Sequence, residues 1–535
     1  MSKIDGMGLG YSYHLPTAGL GLKIRNSLSQ FSDLFSEFNK YIAPAYHHDR
    51  CERSVQMRLY SMHKREFVMV FIAFFGCLGL GIFIGLAGPP ITKTTECDAK
   101  SSCDTTNKTI SPSEMATGPF TMRSPAMTSY NQQMWLIAKL ATDNTDDEIF
   151  DKSFQISVTI EGLTQDHKPI PILNNSRNRT RHLRCNKRYC DEFIVLHLGF
   201  LDYTHYIITV RFFGLEWFHH RYTIKELKFY FVTYNPAFTQ IEIWFRFIFL
   251  ISTFIITTWF IYKLKNYAIF DWSIEQKWMS ILLFLLLFYN NPLFPMTFLI
   301  NSWIPGMIDA LSQATFLSAL LLFWLCVYHG LRQNERRILS FYFPKFFIVG
   351  VLWLCALIMA TWEKCNELKD PTYSHINDAG SYYTLKVIFF TFCGIYIAYL
   401  LLLLLRAYSE LRSMPFFDMR LKFLTLLMLV VLSISLTITV LRFGIGVLED
   451  NFVAQLSTHY NSSVQFMSFY GLLNFYVYAM TYVYSPNTKT IQESIITKDN
   501  PTFSMINDSD EDVIYGSEDE SRRPLNRARN DDDSD

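Results

Sequence analysis

WMSILLFLLLFYNNPLFPMTFLI, residues 278–300, contains no Asp, Glu, Lys or Arg, yet it interrupts itself with Asn290, Asn291, Pro292 and Pro295. A helix needs about 20 mostly apolar residues to cross the hydrocarbon core of a bilayer, so the run has the length of a membrane span. The interruption needs its own reason. Proline lacks an N–H, and non-helical backbone at membrane depth is tolerated only where it is buried in protein or lines a wet cavity. Asn290 and Asn291 are therefore expected to face a bundle interior, with their amides satisfying carbonyls freed by Pro292 and Pro295. Two readings stay open: a kinked helix held by interhelical hydrogen bonds, or a cavity opening outward near Trp303 in SWIPG. Asn474, in YGLLNFYVY, is the other amide at mid-span.

Seven further runs have similar length and composition, at 67–87, 243–262, 310–329, 346–362, 387–405, 423–441 and 464–484. The chain has 535 residues, half of them hydrophobic and 16% aromatic. A soluble chain of that size would divide into several cores. Here the apolar residues gather into spans, which makes the fold class a polytopic α-helical membrane protein with eight spans. The run at 67–87 begins too deep and lacks the cleavage site of a signal peptide, so it reads as a signal anchor. Its Gly76, Gly79, Gly81 and Gly85 suit close packing on a neighbour.

Orientation follows from Lys and Arg near the span ends. Arg50, Arg53, Arg58, Lys64 and Arg65 precede the first span. Alternating sides then groups Lys263, Lys265, Lys277, Arg332, Arg336, Arg337, Lys345, Arg406, Arg412, Arg420 and Lys422 with them, against four basic residues in the short outer loops. Both termini are expected in the cytosol, and residues 88–240 in the lumen or outside the cell. Asn107, Asn174 and Asn178 are N-glycosylation acceptors there. Cys97, Cys103, Cys185 and Cys190 form an even set suited to disulfides; three pairings are possible, and local pairs are favoured because CNKRYC can close a hairpin. FQISVTIE alternates apolar and polar residues as a half-buried strand does, and EFIVLHL, YIITVRF and LKFYFVTY add similar segments, so this region reads as a small antiparallel sandwich.

Acidic or basic residues inside a bilayer mark ion paths or proton relays. None lies near the middle of a proposed span, and Arg246 and His329 sit at span ends, where snorkelling explains them. No HExxH, intramembrane aspartate pair or phosphate loop is present, so the chain is expected to be no enzyme and to need no cofactor. Nothing suggests nucleic acid or a metal: His197, His205, His219 and His220 are scattered among strands, and HHDRC at 47–51 reads as a solvated turn. Residues 24–42 have helical apolar spacing and form an amphipathic helix. The region 487–535 is acidic and too poor in apolar residues to fold. Asn500, Pro501 and Phe503 form an NPx-aromatic turn suited to sorting adaptors, and Ser509 and Ser517 precede acidic residues, as acidophilic kinases prefer.

YNPAFTQIEIWFRF, IEQKWMS, FLINSWIPGM, LLFWLCVYHG, PKFFIVG, DNFVAQLSTHY and SFYGLLNFYVY closely resemble the Wntless-like family. The resemblance implies a GOLD-like β-sandwich followed by a seven-helix, receptor-like bundle with a large cavity. The expected plan is 1–66 cytosolic, 67–87 first span, 88–240 GOLD-like sandwich, 241–486 seven-helix domain and 487–535 tail. It implies a trafficking receptor of the Golgi, secretory pathway and plasma membrane. Its expected partners are membrane lipid, a secreted or lipidated protein cargo and cytosolic adaptors. Asn290, Asn291, Pro292, Trp303 and Asn474 are the candidates for the cavity. The alternative is a G-protein-coupled-receptor-like surface receptor, including use as a bacterial toxin receptor. The DRY and NPxxY signatures of the rhodopsin-like class are missing, which leaves G-protein coupling open.

Overall fold

The computed structural model describes residues 55, 57–98, 114–144, 149–164, 168–173, 178–216, 222–330, 341–373, 383–411, 415–443 and 462–487. The amphipathic segment 24–42, Cys103, Asn107, Asn174 and the tail with Asn500, Pro501, Phe503, Ser509 and Ser517 lie outside them. Asn178 lies within them and is exposed.

Ten strands form one antiparallel sheet: β1 (Thr92–Asp98), β2 (Phe120–Arg123), β3 (Met134–Thr142), β4 (Ile149–Leu163), β5 (Pro169–Leu173), β6 (Arg179–Asn186), β7 (Tyr189–Cys190), β8 (Phe193–Leu198), β9 (His205–Phe213) and β10 (Ile224–Tyr234). The order is β1-β10-β3-β7-β6-β4-β9-β2, with β5 on β4 and β8 on β3. In β4 the alternation is direct: Phe154, Ile156, Val158 and Ile160 are buried, while Gln155 and Thr159 are exposed. β4 is long enough to pair β6 along its first half and β9 along its second. Leu136, Val195, Ile208 and Phe229 meet the β4 residues in a single core. Cys185 and Cys190 are joined by a disulfide across the β6–β7 hairpin, and Cys97 is also disulfide-bonded.

The helices are α1 (Lys64–Ala87), α2 (Pro236–Leu264), α3 (Ile274–Tyr289), α4 (Trp303–Gly330), α5 (Phe343–Lys369), α6 (Tyr383–Leu411), α7 (Pro415–Phe443) and α8 (Ser463–Tyr484). Among the described residues, α1, α2, α4, α5, α6 and α7 are long and apolar enough to cross a membrane. The run at 278–300 is not one continuous span: α3 has 16 residues and stops at Tyr289, and a one-turn helix follows at Met296–Leu299. Ser273 starts α3 with a capping box, its Oγ accepting from Gln276 N while Gln276 Oε1 accepts from Ser273 N. α8 packs against α1, α2, α3 and α7. On α1 only part of the glycine stripe serves that packing. A Cβ on Gly85 would stand 2.7 Å from Val464 Cα of α8, whereas Gly76 and Gly79 have nothing within 4 Å.

Two joints fix the sandwich to the bundle. β10 ends at Tyr234 and α2 begins at Pro236, with Asn235 alone between them. Asn235 Oδ1 accepts from Ala237 N as an N-cap, and Pro236 supplies a helix start that needs no N–H. The second joint lies just past α5. Arg179 pairs with Asp370, the fully buried Arg181 donates to Thr372 O, and His197 N donates to Pro371 O at 2.7 Å. At the opposite end of the bundle the segment entering α1 meets the one leaving α8. Met57 pairs with Pro486, and the Arg58 guanidinium lies 4.4 Å from the centre of the Tyr482 ring.

Burial pushes the Asp370 carboxyl up, but hydrogen bonds from Arg179 and Thr372 outweigh it and hold the group below its ordinary value. A depressed carboxyl contributes stability that is present above its unfolded value and lost only as pH falls through the folded one. The joint is therefore expected to stay closed through mildly acidic pH. The check is the exchange rate of the His197 amide between about pH 5 and 7, where protection should hold in the wild type and fall in Asp370→Asn. Separately, Gly85→Leu should force α1 off α8 at a cost of about 1–3 kcal/mol, read as a lowered melting temperature. Gly76→Leu should leave that temperature unchanged.

Candidate functional site

Arg246, on α2, is 5% exposed and does not snorkel. Its Nη2 donates to Glu242 Oε1 at 3.0 Å and its Nη1 to Asp309 Oδ1 on α4 at 3.3 Å. The guanidinium also lies 4.0 Å from the centre of the Phe294 ring. This corrects the expectation that Arg246 snorkels at a span end. α2 and α4 extend beyond their apolar windows, and the added turns carry buried Glu242 and Asp309, which Arg246 neutralises in part. His329, the other residue expected to snorkel, stacks on Phe341 with ring centres 4.8 Å apart.

The break after α3 serves this network. Asn291 has φ 38°, in the left-handed region that asparagine tolerates better than most residues. Its Oδ1 accepts from Leu293 N, which closes the turn, and its Nδ2 donates to Asp309 Oδ1 at 2.6 Å. Asn290 donates from Nδ2 to Thr253 Oγ1 at 2.9 Å and to Asn474 Oδ1 at 3.1 Å, tying α3 to α2 and α8. The two amides therefore bridge elements, and the expectation that they satisfy proline-freed carbonyls is corrected. The amide N–H groups go to side chains on neighbouring helices, and their only local contact among the described residues is at Asn291 Oδ1, which accepts from Leu293 N.

Asp309 accepts a further hydrogen bond, from Gln313 Nε2 at 2.8 Å. Glu242 Oε2 is 3.4 Å from Gln132 Nε2 of the sandwich, and the same Nε2 donates to Thr239 Oγ1 at 3.0 Å. Gln132 itself has φ 54°, an uncommon backbone state for a non-glycine residue, held in a turn that begins with Thr128 and Asn131. A continuous chain of polar contacts thus runs from Gln132 through Glu242, Arg246 and Asp309 to Gln313.

Three cavities border this chain. A polar crevice of about 100 Å³ lies between sandwich and helices, lined by Gln132, Glu242, Arg246, Trp303, Asp309 and Lys364. A groove of about 320 Å³ runs beside the break, between Trp244 and Phe247 on one wall and Asn290, Asn291, Pro292 and Pro295 on the other. The third holds about 500 Å³ among α4, α5, α6 and α7, and almost all of its lining is apolar. Small residues facing one another, Ala310 and Ala314 on α4 with Ala356 and Ala360 on α5, open that space. Ile397, Leu401 and Leu429 border it and are also exposed on the outside of the bundle, so it reaches the surface between α6 and α7. Of the sequence candidates, Trp303 lines the crevice, Asn290, Asn291 and Pro292 line the groove, and Asn474 lies in the helix contact. None lines the large cavity. Its alanines read as ordinary helix formers, and only the pairing of α4 with α5 makes them a wall. Among the described residues no group of His, Cys, Asp and Glu is placed to hold a metal; His197 stacks on Trp135 instead.

Removing one partner of a buried ion pair leaves an uncompensated charge, at a cost of about 3–5 kcal/mol. Arg246→Leu should therefore lower the melting temperature sharply. Combining it with Glu242→Gln and Asp309→Asn should recover much of the loss, measured in detergent under identical conditions.

Sequence comparison agrees with the junction seen in space. The family model described as TMEM181, GOLD domain, matches residues 118–234, and that described as Wntless-like, transmembrane domain, matches 235–488. The two meet where β10 passes into Asn235. Human transmembrane protein 181 is 50% identical over 463 residues, covering 86% of this chain and 94% of that protein. The chicken protein wntless homolog is 29% identical over 202 residues, 34% of this chain and 37% of that protein. Protein wntless homolog B of Xenopus laevis is 27% identical over 198 residues, 33% of this chain and 36% of that protein. With its GOLD domain running without a linker into a Wntless-like helical domain, the chain is a multi-pass membrane protein that belongs to the transmembrane protein 181 family.

Proposed function

We propose that the protein is a non-enzymatic membrane receptor of the secretory pathway and cell surface that holds a lipid or an acyl chain among α4, α5, α6 and α7. The observation that carries this reading is the 500 Å³ cavity, which has the volume of a small-molecule site and a lining that favours hydrocarbon over water. Its opening between α6 and α7 suits a chain that arrives sideways from the bilayer. Of the buried charges beside it, Glu242 reaches Gln132 of the sandwich, and the sandwich is the surface that captures or orients a partner. The disulfide across β6–β7 and the exposed Asn178 suit a sandwich on the lumenal or outer side. The acidic tail would then act as a cytosolic sorting signal. In the alternative, a surface receptor would receive an outside ligand in the crevice beneath the sandwich.

The test is to purify the full chain gently and identify by native mass spectrometry what accompanies it. An acyl-bearing ligand is expected with the wild type. Ala356→Phe combined with Ala360→Phe fills the space, and should lose that ligand while retaining the wild-type elution profile. Equal lipid in both proteins would overturn the reading.

A further inference from the structure

The large cavity is apolar but not uniformly so, and two side chains on α4 depart from the rest. Gln313 is 6% exposed and borders the cavity. Its amide orientation is settled by its neighbour. Asp309 offers only acceptors as a carboxylate, so Nε2 must face it, as the 2.8 Å contact to Oδ2 has it. Asp309 cannot turn away, because Arg246 and Asn291 both hold its Oδ1. The carbonyl end of Gln313 is thereby left over, and among the described residues nothing donates to its Oε1.

Ser318 follows five residues on, about 7.5 Å further along the helix axis, and also borders the cavity. A serine inside a helix commonly turns its hydroxyl back to the carbonyl four residues earlier. Ser312 does so, donating to Ile308 O at 2.8 Å. The Ser318 hydroxyl has no such partner among the described residues. A fixed acceptor and a free hydroxyl therefore stand on one apolar wall. Burying polar groups unpaired is costly, and a ligand that pairs them gains what the empty site lacks.

Resting on the reading that the cavity holds an acyl chain, we propose that it selects an uncharged chain whose polar end carries hydrogen-bond donors, a hydroxyl or an amide N–H. Gln313 Oε1 is the acceptor that sets this preference, with the Ser318 hydroxyl as the second contact. A free carboxylate or phosphate is disfavoured, since its oxygens would meet Oε1 with Asp309 immediately behind it. The donor-bearing chain can belong to a membrane lipid such as a ceramide or to an N-acylated peptide, and both offer the same chemistry to Gln313.

The experiment measures displacement of a fluorescent fatty-acyl methyl ester from the full-length protein in nanodiscs. The competitors are a ceramide, its fully O- and N-methylated analogue, the matching fatty acid, and an N-palmitoylated peptide. The ceramide, the peptide or both should compete about tenfold better than the methylated analogue and the fatty acid, the difference that one hydrogen bond in a water-poor site makes. The stronger of the two identifies the source. Gln313→Met keeps the volume and should erase the preference while the ester still binds. If all competitors displace the ester equally, or Gln313→Met keeps the preference, the selectivity is overturned and the cavity stands. If the ester itself does not bind the wild type, or binds Ala356→Phe/Ala360→Phe as well, the cavity reading fails first. The comparison of ceramide with its methylated analogue needs no variant, so a poorly folding Gln313→Met leaves the proposal decidable.

Discussion

The arrangement turns on one buried guanidinium at the edge of the crevice. Arg246 sits between Glu242 and Asp309 at a depth where a lone charge is very costly, and the two acids are as dependent on it as it is on them. Satisfying this group takes contributions from separate parts of the chain: a sandwich turn, two helices and the interrupted end of a third. With the guanidinium present, the break after α3, the start of α4 and the Gln132 turn are held in one geometry. That accounts for why an apolar segment gives up its helix at Asn290. A continuous helix would carry its side chains past Asp309, whereas the left-handed turn at Asn291 places an amide on it.

The same helix faces two environments a quarter-turn apart. Asp309 and Gln313, four residues apart, share one side of α4 and belong to the polar chain. Ala310 and Ala314, each one residue on, belong to the cavity wall. The polar chain therefore ends where the hydrocarbon-lined space begins, and Gln313 is the residue that touches both. The narrowness of that boundary is a property of helical geometry and needs no extra element to make it.

Much of the architecture was legible in the sequence because the signals were periodic. Alternation located β4, β8, β9 and β10, and long apolar runs located the helices. Asparagines and prolines at mid-run announced that α3 ends early. The charges were missed for a physical reason: an apolar window stops at the first acid, so Glu242 and Asp309 fell one residue outside theirs while the helices continued. A polar residue satisfied by a partner far along the chain carries no local mark. Lys345 was missed differently: it was assigned to a basic span end but is buried, its ammonium donating to the Phe341 carbonyl one helical turn back. The cavity was illegible because a void is a relation between helices, and its alanines carry no signal by themselves. The two glycines of α1 without a neighbour show the opposite error, a packing motif read where half of it faces outward.

A single residue separates the last strand of the sandwich from the first helix of the bundle, and Asn235 spends its side chain capping that helix. Such a joint has no slack. A molecule that grips the sandwich and twists it has no flexible tether to absorb the rotation, so the torque passes into α2 as a turn about its own axis. Glu242 and Arg246 lie on the second and third turns of that helix, and the second joint at Asp370 opposes the motion from the far side. The domain outside the membrane is thus a crank with its shaft sunk in the bundle, and the first thing the shaft would strain is the ion pair it carries.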